Sequence, residues 1–158
     1  MRKHIIGQAK TPEAQLQKRW LDLEGVAQVE VTSEDPGFPI ESALTLEGEG
    51  KGWRASEPGE QLIRIIFDTP TAVQRIKVHF AETQAVRTQE FVLRWSSKRN
   101  EALREIVRQQ WNFSPTGSSS EEEDYQVNLG DVGVLELAIK PDISGGDSRA
   151  SLMALRLA

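Results

Sequence analysis

The chain has 158 residues, 38% of them hydrophobic and 27% charged, with a formal net charge of −5 and no cysteine. This length suits one domain with a buried core, and the lack of cysteine excludes disulfides and thiolate metal sites. The acidic balance argues against general binding to nucleic acid, and no segment has the roughly 18 apolar residues needed for membrane insertion.

The N-terminal segment predicts a short helix ahead of the main domain. It starts with positive charge but lacks the apolar core of a signal peptide, so we expect a soluble, cytoplasmic protein. A Thr-Pro-Glu sequence at residues 11–13 supplies an N-cap, a first-position proline and an acid in the first turn. Leu16, Trp20 and Leu23 then recur at helical spacing, and Gly25 is expected to end the helix.

From Val26 onward the hydrophobic period changes from 3.6 to 2, which is typical of strands with one buried and one solvated face. Alternating segments of this kind cover residues 28–32, 61–68, 73–80, 90–97, 104–111, 125–129, 134–140 and 152–157. Turn signals separate them at residues 68–70, 98–100, 114–117 and 144–147. About eight short strands with almost no helix predict an all-β, antiparallel β-sandwich. We assign it to residues 26–158, after an extension of residues 1–25 with the short N-terminal helix.

Three connecting segments have a composition of their own. Residues 40–44 predict a single helical turn, and residues 47–53 form a Gly-rich loop that leads into a tryptophan. Residues 118–124, Ser-Ser-Ser-Glu-Glu-Glu-Asp, predict a solvated loop, because contiguous carboxylates repel one another into water.

The order of these features resembles the discoidin-type domain, the C-type domain of coagulation factors, within the galactose-binding-domain-like superfamily. The residues that carry the resemblance are Ala43, Leu44, Trp53, Gly59-Glu60-Gln61, Ile63, Phe67-Asp68, Arg75-Ile76-Lys77-Val78, residues 135–141, the Ser-Gly-Gly loop at 144–146 and Ala150-Ser151-Leu152. The resemblance covers roughly residues 26–158 and depends on order and spacing. It implies an eight-stranded jelly roll whose loops at one end bind sugars, lipid head groups or proteins.

One departure from the family concerns a structural calcium ion. The resemblance implies calcium ligands in the loop before the tryptophan and a glutamate near the C-terminus, but Lys51 and Ala154 stand there. Because calcium needs six to eight oxygen ligands, we expect no metal at this position. One hypothesis is that the Lys51 ammonium takes the place of the ion and pairs with Glu47 or Glu49. The alternative is that Lys51 is simply solvated, since a surface ion pair is worth about 0–1 kcal/mol.

No catalytic constellation is indicated. The two histidines, His4 and His79, lie near no metal-ligand spacing and no Gly-X-Ser-X-Gly turn, and His79 is expected on the wet face of a strand. Carboxylate pairs on loops, such as Asp142 and Asp147, have the composition of a glycosidase dyad, but nothing selects them. The sequence therefore predicts no enzyme, no cofactor and no metal site.

Four tryptophans are candidates for a ligand platform, because aromatic faces bind sugar rings and apolar ligands. Trp20 and Trp95 follow apolar periods, which favours packing through the N-terminal helix and in the core. Trp53 and Trp111 lie at strand ends, where this fold holds its ligand loops. For Trp53 the alternative is a buried plug at the end of the sandwich, and for Trp111 both interpretations stand equally.

Polar residues beside these tryptophans could supply hydrogen bonds to a ligand, although any one arginine also fits an ordinary surface charge. The predicted ligand-binding residues are Trp53, Arg54, Arg87, Trp111, Asn112 and Arg149. Together they indicate a non-catalytic ligand-binding module, with carbohydrate as the ligand by analogy of fold alone. The alternative function is a protein-interaction or assembly domain that binds no sugar.

Overall fold

The computed structural model describes residues 20–46 and 50–158. The strands are β1 (Ala27–Val31), β2 (Trp53–Pro58), β3 (Gln61–Ala81), β4 (Arg87–Ser96), β5 (Arg104–Phe113), β6 (Ser120–Lys140), β7 (Arg149–Leu152) and β8 (Ala154–Leu157). Two single helical turns are α1 (Leu23–Val26) and α2 (Glu41–Leu44), the second at the predicted position. Pairing is antiparallel throughout these strands, in a six-stranded and a two-stranded sheet, so the predicted all-β sandwich is confirmed.

Two long strands build both layers of the sandwich. β3 and β6 have 21 residues each and pair along their length, with register shifts between Ile66 and Arg75. Before the shifts β3 also pairs with β1, and after them with β8, while the C-terminal part of β6 pairs with β4 and β4 with β5. The rings of Phe80 in β3 and Phe91 in β4 lie 5.1 Å apart although these strands do not pair. The two layers therefore face each other across the core.

The core follows from the two-residue period. Ile76, Val78 and Phe80 are fully buried, whereas Lys77 and His79 between them are half-buried on the opposite face of β3. Each large apolar side chain buried in this way stabilises the fold by about 1.5–3 kcal/mol. The alternation seen in the sequence thus sets which face of each strand is buried.

Two predicted connections are wrong. Residues 118–124 are not a solvated loop, because β6 begins at Ser120 and Glu121 is buried. The acids are tolerated in a strand because cations lie across from them: Arg75 donates from Nε to Asp124 Oδ1 at 2.9 Å. Residues 68–70, expected to turn, are extended within β3 where its register shifts.

The last predicted strand divides into two. Residues 152–157 were expected to form one strand, but β7 ends at Leu152 and β8 begins at Ala154. β7 pairs with β2, a strand the alternation did not predict, and these two form the separate two-stranded sheet. β8 pairs with the C-terminal part of β3. This division places β7 at the edge of the cleft described below.

The predicted N-terminal helix lies mostly outside the described residues. Of its described part, residues 20–22 are not helical, and α1 contains Gly25, which was expected to end the helix. The Leu21 N–H donates to Leu157 O at 2.7 Å, and Leu23 is buried in the core. This segment is therefore tied to the sandwich. Within the described ranges, no helix has the length and apolar character needed to cross a membrane.

Candidate ligand-binding cleft

A cleft of about 310 Å³ opens where the two-stranded sheet meets the β3–β4 connection. This volume is in the range of small-ligand sites. Its wall is built from four separate segments of the chain, and the side chains that matter below are Phe38, Lys51, Arg54, Gln84, Arg149 and Ser151. Arg54 and Arg149, with part of Trp53, are therefore the predicted site residues that the fold brings together here.

Strand pairing sets the positions of the two arginines. Arg54 in β2 is the cross-strand partner of Ser151 in β7, and Arg149 precedes Ser151 by two residues. Successive side chains of a strand point to opposite faces, so these three share one face of the two-stranded sheet. Their neighbours Trp53 and Leu152 pair on the opposite, buried face. Both arginines are exposed and reach the open cleft.

Gly52 allows the chain to enter β2 at this point. Its φ angle is +68°, and a Cβ atom at this position would clash with the backbone carbonyl oxygen of Leu152. Only glycine tolerates both the left-handed conformation and this backbone contact. The close approach of β2 to β7, and with it the spacing of Arg54 from Ser151, depends on this residue.

The structure corrects the expectation that Trp53 is a ligand platform. Its side chain is only 1% exposed, and its Nε1–H donates to Ser33 O at 3.1 Å. The ring therefore packs in the core beneath the two-stranded sheet, and its faces are not accessible to a ligand. The aromatic side chain at the wall is Phe38, which is half-buried. Its segment is fixed to β2, because the Arg54 N–H donates to Phe38 O at 3.2 Å.

Arg87 was predicted as a ligand donor, but it is buried and fully engaged inside the protein. Its Nε donates to Glu82 Oε1 at 2.6 Å, and its Nη1 donates to Gln89 Oε1 at 3.2 Å and to Pro141 O at 2.6 Å. The guanidinium also lies over the ring of Phe113, 4.7 Å from its centroid. Arg87 thus acts on the cleft through Glu82, which lines it.

Glu82 organises the β3–β4 connection. Its second oxygen, Oε2, accepts the backbone N–H groups of Gln84 at 3.0 Å and Ala85 at 3.3 Å. Burial alone would raise the pKa of Glu82, but the hydrogen bonds from Arg87 and Gln84 outweigh it and the pKa is lowered. Glu82 is therefore an ionised, internally paired carboxylate, and Gln84 is held where its side chain faces the cleft.

The two remaining predicted site residues lie elsewhere. Asn112 is exposed on β5, where its Oδ1 accepts a hydrogen bond from Thr88 Oγ1 at 2.6 Å. Trp111 is half-buried against the core, and its Nε1 is buried without a hydrogen-bond partner among the described residues. Neither residue lines the cleft.

The other two tryptophans have structural positions. Trp95 packs against the core as predicted, with the guanidinium of Arg104 5.6 Å from its ring centroid. Trp20 does not pack through a helix, because the chain is not helical at this residue. Its ring instead lies 4.7 Å from the guanidinium of Arg75.

A cation does contact the segment in which the resemblance implied calcium, but it is Arg156. Its Nη1 donates to Ala43 O at 2.8 Å and its Nη2 to Thr45 O at 3.0 Å, which ties β8 to the end of α2. Burial lowers the pKa of Arg156. These residues do not fit a calcium ion, since a positive guanidinium already takes up the carbonyl oxygens. The described residues also contain no group of three or more metal-binding side chains.

The Lys51 hypothesis concerns residues that the structure does not describe. Residues 47–49, which include both proposed partners, lie outside the described ranges. Lys51 itself is exposed and lines the cleft. Its pairing with Glu47 or Glu49 stays a prediction.

Replacing Arg156 with methionine should lower the free energy of unfolding by about 1–3 kcal/mol, because two half-buried carbonyl oxygens lose a charged donor. The measurement is urea denaturation. The control is Arg99→Met, which removes an exposed arginine paired with Glu30 at 2.8 Å and should cost about 1 kcal/mol or less. Equal costs for the two variants, or an Arg156→Met protein stabilised by added calcium, would contradict the role given to Arg156.

His79 belongs to a hydrogen-bonded group on the outer face of β3 and β6. Its Nε2 is 3.0 Å from Ser120 Oγ, and its Nδ1 is 3.8 Å from Glu122 Oε1. Serine hydrolases use a histidine between a hydroxyl and a carboxylate. Here, however, Glu122 is the cross-strand partner of His79, the serine and the glutamate are exposed, and none of the three lines the cleft. These contacts link two strands on an open face outside the cleft.

Comparison with known proteins bears on the fold. No protein-family model matches the sequence, and no curated protein matches it at a significant level. The family 32 carbohydrate-binding module of Clostridium perfringens NanJ, in complex with galactose, is 14% identical over 87% of this chain and 96% of its own, with a TM-score of 0.63. The Clostridium perfringens domain CpGH89CBM32-5, in complex with GalNAc-β-1,3-galactose, is 16% identical over 87% and 98%, with a TM-score of 0.64. A pectin-binding carbohydrate-binding module is 14% identical over 84% and 89%, with a TM-score of 0.60.

Identities this low speak to the fold and not to the ligand. The agreement extends over most of this chain and nearly the whole of each of the three solved domains. It also matches the resemblance that the order of sequence features implied. The chain has the discoidin-like, galactose-binding-domain fold of these modules.

Proposed function

We propose that this domain binds carbohydrate without cleaving it, and that the cleft beside Arg54 and Arg149 is the binding site. The observation that carries the proposal is the composition of this preformed cleft. It combines the half-buried ring of Phe38 with the exposed polar side chains of Gln84, Arg54 and Arg149. Sugar sites need this combination, because the ring binds the C–H face of a sugar and the polar groups bind its hydroxyls. Solved domains with this fold and bound sugars support the same function.

The carboxylates of the cleft support binding without hydrolysis. Most glycoside hydrolases use two carboxyl groups on either side of the scissile bond. Among the described residues that line the cleft, Glu82 is the single carboxylate, and it is bound to Arg87. Its lowered pKa also makes it a poor proton donor near neutral pH.

The test is a screen of mono- and oligosaccharides by thermal shift, followed by calorimetry on the hits. Gln84→Ala should weaken binding by about threefold to tenfold, the effect of one neutral hydrogen bond. Asn128→Ala, an exposed position on β6 outside the cleft, should leave the affinity unchanged. A melting temperature that no saccharide shifts would count against carbohydrate binding. Recovery of a stoichiometric protein in a pull-down would then favour the alternative, a protein-interaction domain.

A further inference from the structure

The arginines of this chain divide into two groups by their contacts. The described ranges contain ten arginines, and eight have a hydrogen bond, an ion pair or an aromatic ring as partner. The eight with partners are Arg64, Arg75, Arg87, Arg94, Arg99, Arg104, Arg108 and Arg156. The other two, Arg54 and Arg149, have no side-chain partner among the described residues. Both line the candidate cleft.

The described residues that line the cleft carry a positive net charge, on a chain whose net charge is −5. Lys51 adds a third exposed cation to Arg54 and Arg149, while Glu82 is already neutralised by Arg87. Like charges held side by side repel one another, and a nearby anion would relieve this repulsion. The cleft is therefore electrostatically prepared for a negative ligand.

Three other clefts of the described residues lack this feature. In one, Arg64 and Arg99 are paired with Glu136 and Glu30. The second is mainly apolar, and its charged residues are acids. In the third, one lysine faces two acids. Of these four clefts, the one where we place the ligand is thus the one whose described lining holds several positive charges without an acid left to pair with them.

We infer that the ligand of this cleft is an anionic saccharide, whose carboxylate or sulfate group is bound by Arg54 and Arg149. This inference rests on the proposed function, carbohydrate binding. The planar guanidinium matches the two oxygens of a carboxylate or sulfate with paired hydrogen bonds. The two arginines share one face of the β2–β7 pair, flanking Ser151, so both can reach one acidic group. A sugar ring that packs against Phe38 would place its carboxylate or sulfate group near Arg54 and Arg149.

The experiment compares matched saccharides by calorimetry at two salt concentrations. Oligogalacturonate and its neutral methyl ester differ in the carboxylate, and a sulfated galactan and its desulfated form differ in the sulfate. One acidic member should bind at least about tenfold more tightly than its neutral counterpart. Its affinity should also fall when sodium chloride is raised from about 50 to about 300 mM, because salt screens exposed charges. Which pair shows the difference identifies the acidic group.

Arginine variants link the charge preference to this cleft. Arg54→Gln and Arg149→Gln should each lower the affinity for the acidic saccharide by about tenfold more than they lower the affinity for its neutral counterpart, so that the preference for the acidic member falls. Arg99→Gln is the control, an exposed arginine outside the cleft. All three positions are exposed, so melting temperatures should stay unchanged.

Two outcomes separate this inference from the proposed function. Equal affinity for acidic and neutral members of both pairs, unaffected by the arginine variants, would overturn the anionic ligand and leave carbohydrate binding in place. Binding of no saccharide at all, in either form and at low salt, would overturn both.

Discussion

Replacing Glu82 with alanine should lower the free energy of unfolding by about 3–5 kcal/mol, because the guanidinium of Arg87 is then buried without its counter-charge. The side chain of Arg87 is 2% exposed and that of Glu82 is 18% exposed, so water reaches this pair poorly. The variant also removes the acceptor of the Gln84 and Ala85 N–H groups. Urea denaturation at neutral pH measures the loss.

A double-mutant cycle isolates the interaction between the two charges. Arg87→Met removes the cation while keeping much of its volume, and the double variant with Glu82→Ala has neither charge. The sum of the two single losses in unfolding free energy should exceed the loss in the double variant by about 2 kcal/mol or more. The reason is that the second substitution removes the unpaired charge left by the first. Glu60→Ala, at an exposed acid outside the cleft, should change stability by about 0.5 kcal/mol or less. Additive single losses would contradict a coupled buried pair.

The sandwich was predictable because the alternation of apolar and polar residues that marks each strand lies within a short stretch of sequence. Residues 73–80 alternate strictly between apolar and polar side chains, and this period alone separates the buried from the solvated face. The single helical turn near residue 40 and the segments of β4 and β5 were recognisable in the same way. Order and spacing of such segments then sufficed for the resemblance to the discoidin-type domain.

The acidic segment at the start of β6 was mispredicted because its partners are remote in sequence. Composition alone places Glu121 to Asp124 in solvent. In the fold, Arg75 bonds to Asp124 across 49 positions of sequence, and Gln89 contacts Glu121 across 32. A strand whose outer charges are neutralised and whose inner acid is buried cannot be recognised from neighbouring residues.

The candidate cleft was only partly predictable for the same reason. Arg54 and Arg149 could be named as exposed donors near turns, but their meeting depends on the pairing of β2 with β7. Phe38 lies in a segment rich in proline and glycine, where no period marks it. Arg87 has the sequence context of a surface arginine, and only the fold places Pro141 O and Glu82 around it. The sequence identified candidate arginines but did not show which of them are already paired within the protein.

Stability should fall as pH rises from about 5 to about 7, and Glu121→Gln should abolish this component. Burial raises the pKa of Glu121 to about 7, and the charge and hydrogen bond of Glu123 add to the effect. The unfolded chain, with an ordinary pKa near 4.5, releases this proton earlier. The folded state therefore holds an extra proton between these two values, so its stability is greatest at low pH and declines toward neutrality.

The size of the effect follows from the shift. A rise from 4.5 to about 7 corresponds to about 3 kcal/mol at 1.36 kcal/mol per unit. The free energy of unfolding of Glu121→Gln, minus that of the unmodified protein, should thus increase by about 3 kcal/mol between pH 4.5 and pH 8. Taking this difference cancels the titration of the groups that both proteins share.

An exposed acid on the same strand, β6, provides the control for the Glu121 variant. Asp131→Asn removes an exposed carboxylate from β6, so its difference from the unmodified protein should stay flat over this pH range. If the free energy of unfolding changed with pH in parallel for Glu121→Gln and the unmodified protein, Glu121 would be ionised in the folded state at pH 5. Its Oε2 has no hydrogen-bond partner among the described residues, which is the reason we expect the opposite. An ionised carboxylate at 1% exposure would have the long contact from Gln89 Nε2 to Oε1, at 3.5 Å, as its single donor among the described residues. The protonated form can instead donate its hydrogen to Glu123.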